Sequence, residues 1–145
     1  KGKARQKFRA IKVKGKHIAS PRGDKKTNDA AWMAITLAAM VEHAPRVPIA
    51  GAVEVSWLAV FRRPKSHFVN GNRERGLLKA SAQDIHIITP DRDNIDKLLL
   101  DAATKAGVWV DDCQVSDGGS MKKRYTLAGD DMRNAPGVWI EIEEL

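Results

Sequence analysis

The chain has 145 residues, with 25 Lys and Arg against 18 Asp and Glu, for a formal charge of +7. Its length favours one domain with a small core, and it lacks the roughly 18 consecutive apolar residues of a membrane-spanning helix. The single cysteine, Cys113, excludes an intramolecular disulfide; with no apolar leader segment, the expectation is a cytoplasmic protein.

The charge is unevenly placed. Residues 1–30 hold eleven Lys and Arg and two Asp, a balance of +9, which leaves −2 for residues 31–145. Lys3, Arg5, Lys7 and Arg9 alternate with Ala4, Gln6, Phe8 and Ala10, a strand pattern with one basic face. The phase flips at Ile11, predicting a bulge near Ala10–Ile11 or a break in the strand. That face suits a DNA backbone, and equally a solvated edge strand in which lysines discourage aggregation.

Residues 20–26 read as a loop. A helix follows from about Asn28 to Ala44, capped by Thr27 or Asn28, with Ala30, Met33, Leu37, Met40, Val41 and Ala44 as its apolar stripe. Pro45 and Pro48 end it. Ala52 to Phe61 alternates as a strand with Val53, Val55, Trp57, Ala59 and Phe61 on one face. A long irregular stretch then runs to about Gln83. Its Arg62, Arg63, Lys65, Arg73, Arg75 and Lys79 predict a DNA-wrapping loop. Ile85–Ile88 is a predicted short strand.

The segment Pro90–Asp112 carries the chemistry. Asp91 and Asp93 are two apart after a proline, so an extended chain points both the same way. Ile95, Leu98, Leu99, Ala102, Ala103 and Ala106 then predict a helix over 94–106, with Asp93 or Asn94 as cap and Gly107 as stop. That helix is roughly 20 Å long. Val108–Val110 reads as a strand, and an extended chain from Gly107 to Asp112 also covers roughly 20 Å. A strand running back along the helix would return Asp111 and Asp112 to the level of Asp93. Lys97, at i+4 from Asp93, shares its face. Converging carboxylates without Cys or His partners suit Mg²⁺ or Mn²⁺. Taken singly, Asp91 and Asp93 also read as helix caps, and Asp111–Asp112 as a solvated turn.

Downstream, Gly118–Gly119 predicts a turn. Met121–Thr126 predicts a strand with Lys122 and Arg124 on one face and Lys123 and Tyr125 on the other. Residues 128–137 read as a polar loop. Val138, Ile140 and Ile142 alternate in a terminal strand, with Glu141 and Glu143 on its solvated face.

The residues Pro90, Asp91, Asp93, Asn94 and Lys97, then Lys105-Ala106-Gly107, Trp109, Asp111-Asp112, Gln114 and Val115, resemble the RusA family of Holliday junction resolvases. A weaker likeness extends through Pro64–His67 and Lys123–Tyr125. The resemblance implies an α+β fold with a mixed sheet and two principal helices, acting as a symmetric homodimer. It also implies Mg²⁺-dependent paired nicking of four-way DNA junctions in recombination and repair. The family's catalytic aspartates fall on Asp91, Asp93 and Asp112 and its essential lysine on Lys97, with Asp111 as a neighbouring acid. Thr89 departs from the basic residue many relatives carry before the proline. Lys122 and Arg124 join the basic arm and loop as expected DNA contacts. The rival readings are a non-catalytic nucleic-acid-binding protein, a nuclease for another branched DNA, and a metal-dependent nucleotide hydrolase.

Overall fold

A computed structural model describes residues 7–14 and 25–145; for 7–14 and 25–31 it describes the backbone alone. Strand β1 (Lys7–Lys14) precedes helix α1 (Lys25–His43), strand β2 (Val53–Phe61), helix α2 (Arg92–Lys105), strand β3 (Val115–Tyr125) and strand β4 (Gly137–Glu144). The strands form one sheet in the order β1-β4-β2-β3. β2 and β3 are parallel, while β4 runs antiparallel to both β1 and β2. This is an α+β fold with a mixed sheet, as the sequence suggests.

The phase flip in the basic strand is resolved by a bulge. Phe8 pairs with Ile142 and Ile11 with Ile140, so three steps on β1 match two on β4. The extra residue brings Phe8, Ile11 and Val13 opposite Ile142, Ile140 and Val138, keeping apolar positions in register on both sides of the flip. Of the basic residues expected to meet DNA here, Lys3 and Arg5 lie outside the described residues. Lys7 and Arg9 are placed on β1 by backbone only.

β2 lies between β4 and β3. Val53, Val55, Trp57, Ala59 and Phe61 are all buried, together with Ile95, Leu99, Ala102 and Ala103 of α2. The indole of Trp57 donates to Asp96 Oδ1 at 2.9 Å, tying α2 to the strand beneath it. Among the described side chains of α1 the buried ones are Trp32, Thr36 and Met40, at i, i+4 and i+8, while Val41 is exposed. The inward row is rotated from the expected stripe, sharing Met40 with it, while Met33 and Ala44 pack on the core only partly buried. α1 also begins at Lys25 rather than Asn28; nothing in Lys25–Thr27 forces the chain out of helical angles, and lysine is a good helix former.

Three expectations about strands are corrected. Gly118 and Gly119 lie inside β3, not in a turn. A Cβ on Gly119 would stand 2.0 Å from Ser56 Oγ, so β3 passes β2 at a distance only glycine allows. Ser120 N–H then donates to that same hydroxyl at 3.1 Å. Ile85–Ile88 forms only an isolated bridge, Ile85 to Arg124, and Val108–Val110 only the bridge Ile49 to Trp109.

Candidate active site

α2 opens on the two acids singled out above. Asp91 holds the cap position with extended backbone angles, and its carbonyl accepts the first helical bond from Ile95 N–H at 3.2 Å. Its carboxylate makes no capping bond. A capping aspartate normally uses that oxygen to satisfy a free N–H of the first turn, so Asp91 has the position of a cap without the function of one. Asp93 follows in the first turn, and both acids are exposed. Lys97 is exposed one turn further along.

Lys123 joins this end of α2 from β3. Its ammonium donates to the Ile88 carbonyl at 2.7 Å. Burial pulls its pKa down, and the Asp91 carboxylate nearby opposes that shift. Sequence reasoning picked out Lys122 and Arg124 instead. The signal for Lys123 was its alternation in phase with Tyr125: Tyr125 is buried, so a lysine on the same face needs a carboxylate or carbonyl partner.

Asp112 is elsewhere. After α2 the chain does not run back. Val108 N–H bonds to the Ala103 carbonyl at 3.0 Å, Ile49 N–H bonds to the Val108 carbonyl at 2.9 Å, and a 3₁₀ turn over Asp112–Gln114 leads into β3. The Asp112 carboxylate accepts from the Thr104 hydroxyl and, at 3.2 Å, from the Trp109 indole. Thr104 lies in the last turn of α2, eleven residues beyond Asp93, or about 16 Å of helix. The expectation that Asp112 meets Asp91 and Asp93 within one chain is therefore corrected. Equal segment lengths set how far the chain can travel, not the direction it takes. Among the described residues no group of three or more His, Cys, Asp or Glu is placed to hold a metal ion.

Asp111 caps the 3₁₀ turn, accepting from Cys113 N–H at 2.9 Å in a capping box with Gln114. That backbone donor lowers its pKa, so it stays anionic. The same carboxylate raises the pKa of the exposed Cys113 thiol.

The basic loop after β2 divides into two populations. Arg62, Lys65, Arg75 and Lys79 are exposed, as a backbone-binding role requires. Arg63 is only 4 % exposed. Its Nε donates to the Thr126 carbonyl at 2.7 Å and its Nη1 to the Gln83 carbonyl at 2.7 Å and to His67 Nδ1 at 3.2 Å. Its Nη2 reaches Asp84 at 3.3 Å. Asp84 is gripped in turn by Arg133, whose hydrogen bond lowers the carboxyl pKa. Arg73 donates to the Arg63 carbonyl at 3.0 Å. Arg63 thus fastens the loop onto the sheet and is removed from the expected DNA contacts, because its donors already point inward. Lys122 is exposed, and Arg124, partly buried, donates to the Lys123 carbonyl at 2.9 Å.

Under Lys123 lies His86, 6 % exposed. Its ring stacks on Phe61 at 3.7 Å and meets the edge of Tyr125 at 5.0 Å, and its Nδ1 has no partner. Burial first, and Lys123 second, push its pKa from 6.5 down to about 4. The folded state holds this ring neutral, whereas the unfolded chain protonates it at its ordinary value. Stability is therefore complete above about pH 6.5 and declines as the pH falls toward 4, by roughly 3 kcal/mol in all. Urea unfolding between pH 4 and 7 is expected to show this loss, and His86→Phe is expected to flatten that part of the profile.

Compared with known protein families, residues 1–143 match the family model for endodeoxyribonuclease RusA. No curated protein matches the chain.

Proposed function

The chain belongs to the RusA family of endodeoxyribonucleases, and on that premise we propose that it resolves four-way DNA junctions by paired, divalent-cation-dependent nicks during recombination and repair. The observation that carries this reading is the uncommitted pair at the start of α2. Asp91 stands at a cap position with its carboxylate unused for capping, Asp93 follows in the first turn, and both face solvent. Hard, all-oxygen donors of this kind fit Mg²⁺, with Mn²⁺ as a substitute. Asp91 and Asp93 would hold the cation, with Asp112 as the third carboxylate and Asp111 beside it. When bound, the cation supplies positive charge at the scissile phosphate and eases deprotonation of the attacking water.

The side chains supply the remaining functions. Lys97, one turn from Asp93, stabilises negative charge on the non-bridging phosphate oxygens. Lys123 orients Asp91 through its bond to the Ile88 carbonyl and offsets part of the repulsion between Asp91 and Asp93. Exposed Arg62, Lys65, Arg75, Lys79 and Lys122, with the basic arm, draw in the phosphate backbone. That attraction makes binding steeply salt-dependent.

We also propose that the active unit is a two-fold dimer whose sites are shared between copies. Support comes from the two ends of α2. Asp91 and Asp93 mark its start, and Asp112 is bonded to Thr104 at its finish. Two such helices packed antiparallel about a two-fold axis bring the start of one to the finish of the other. Exposed aliphatic side chains flank both halves: Ile87 and Ile88 precede Asp91, and Val110, 68 % exposed, precedes Asp111. In the antiparallel pair proposed here these two groups of exposed aliphatic side chains would lie side by side between the copies.

Co-expressing Asp93→Asn chains with Asp112→Asn chains tests this arrangement. In a shared-site dimer each mixed pair has one doubly altered site and one intact site. Random pairing then restores about a quarter of the wild-type sites, seen as single nicks in a synthetic four-way junction. If each chain carried its own complete site, every mixed dimer would be inactive and no nicking would return.

A further inference from the structure

We propose that Thr104 is a positioning residue that fixes which oxygen of Asp112 faces the cation. This rests on the reading of Asp112 as a cation ligand. The inference comes from the closed triangle of hydrogen bonds among Thr104, Trp109 and Asp112. Trp109 Nε1 donates to Thr104 Oγ1 at 2.8 Å and to Asp112 Oδ1 at 3.2 Å. An indole N–H can only donate. The threonine oxygen therefore accepts from Trp109, and its one proton is directed onto Asp112 Oδ1. Both donors converge on Oδ1, while Oδ2 receives neither. A carboxylate held in this way presents Oδ2 in a set direction.

The frame around the triangle is equally determined. Trp109 is 1 % exposed and cannot swing away. Gln114 holds the turn that carries Asp112 through every hydrogen-bonding position of its amide. It accepts from Val110 N–H at 2.8 Å and Asp111 N–H at 2.9 Å, and donates to the Ile49 carbonyl at 2.7 Å and the Gly51 carbonyl at 2.9 Å. Gln114 fixes the backbone of the turn and the triangle fixes the side chain. Thr104 is the link between them and α2, the helix that also carries Asp91 and Asp93.

The test is titration calorimetry of the intact protein with Mn²⁺ alone, comparing wild type with Thr104→Val, Thr104→Ser and Asp112→Asn. Valine keeps the shape of threonine and removes its hydroxyl; serine keeps the hydroxyl. Thr104→Val is expected to weaken Mn²⁺ binding about tenfold to a hundredfold, and Thr104→Ser to retain wild-type affinity. The cation concentration for half-maximal junction cleavage should rise in parallel for the valine variant, by a larger factor than the plateau rate falls. Wild-type Mn²⁺ affinity in Thr104→Val, with weakened affinity in Asp112→Asn, would overturn the role of Thr104 and leave Asp112 as a ligand. Wild-type affinity in Asp112→Asn would instead remove the reading on which the proposal rests. Equal weakening in the valine and serine variants would assign Thr104 to packing and overturn the proposal. Should Thr104→Val fail to fold, Thr104→Ala removes the two bonds of the triangle that Thr104 makes and Trp109→Phe the two that Trp109 makes; weakened Mn²⁺ binding is expected in both, and unchanged binding in Thr104→Ala overturns the proposal.

Discussion

Asp93→Asn is expected to lose junction cleavage by about a thousandfold or more while still binding the junction. The carboxylate is exposed in the first turn of α2, where no hydrogen bond of its own holds the fold together. Asparagine has the same shape and remains compatible with that turn. The change removes one favourable charge from the helix start, at a cost of about 0.3–1 kcal/mol, too little to unfold a domain of this size. What it removes is an anionic ligand that asparagine replaces poorly. Junction binding should hold or tighten slightly, since one negative charge near the phosphates is gone. Gel-shift and cleavage assays on a synthetic four-way junction and on linear duplex separate the two effects. Cleavage by Asp93→Asn at wild-type rates would place the chemistry away from this site, and no Mg²⁺-dependent nicking even by the wild type would favour a non-catalytic binding protein.

Arg63→Leu should act on stability instead. Two main-chain carbonyls, of Thr126 and Gln83, would lose charged donors at 2.7 Å. These two bonds are part-buried, and an acceptor left without its partner there costs about 1–3 kcal/mol. The ion pair adds little, because Asp84 is 52 % exposed and keeps its bonds to Arg133. A total near roughly 3 kcal/mol lowers the melting temperature by roughly 6–12 °C for a chain of this length. Arg62→Ala, one residue earlier and exposed, should leave the melting temperature within about a degree. It should instead weaken junction binding and reduce its salt slope by about one. If the two variants exchanged these effects, the division of the loop into fastening and DNA-facing residues would be wrong.

Much of the fold was legible because it is local. The stripe from Ile95 to Ala106 predicted α2 to within two residues of its observed span, Arg92–Lys105. Alternation predicted β2 and β4. The phase flip in β1 predicted a bulge or a break, and the register shift between Phe8 and Ile11 decides for the bulge. The glycine pair at 118–119 misled, because glycine serves close strand packing as readily as turns, and only Ser56 on the neighbouring strand distinguishes the two. Arg63 misled for a similar reason. A basic residue in a basic loop reads as a DNA contact until the carbonyls of Gln83 and Thr126 are known to converge on it.

The one-dimensional pattern identified the family to which this chain belongs. The spacing of Asp91, Asp93, Lys97 and Asp111–Asp112 around a single helix marks the family, and helix periodicity is enough to put two acids at the helix start. Direction was beyond its reach. Residues 107–112 are long enough to return to Asp93, but the backbone bonds of Val108 to Ala103 and Ile49 turn them aside and leave Asp112 against Thr104. Contacts between segments far apart in the chain decide such turns, because their partners are chosen by packing in space and leave no period in the letters.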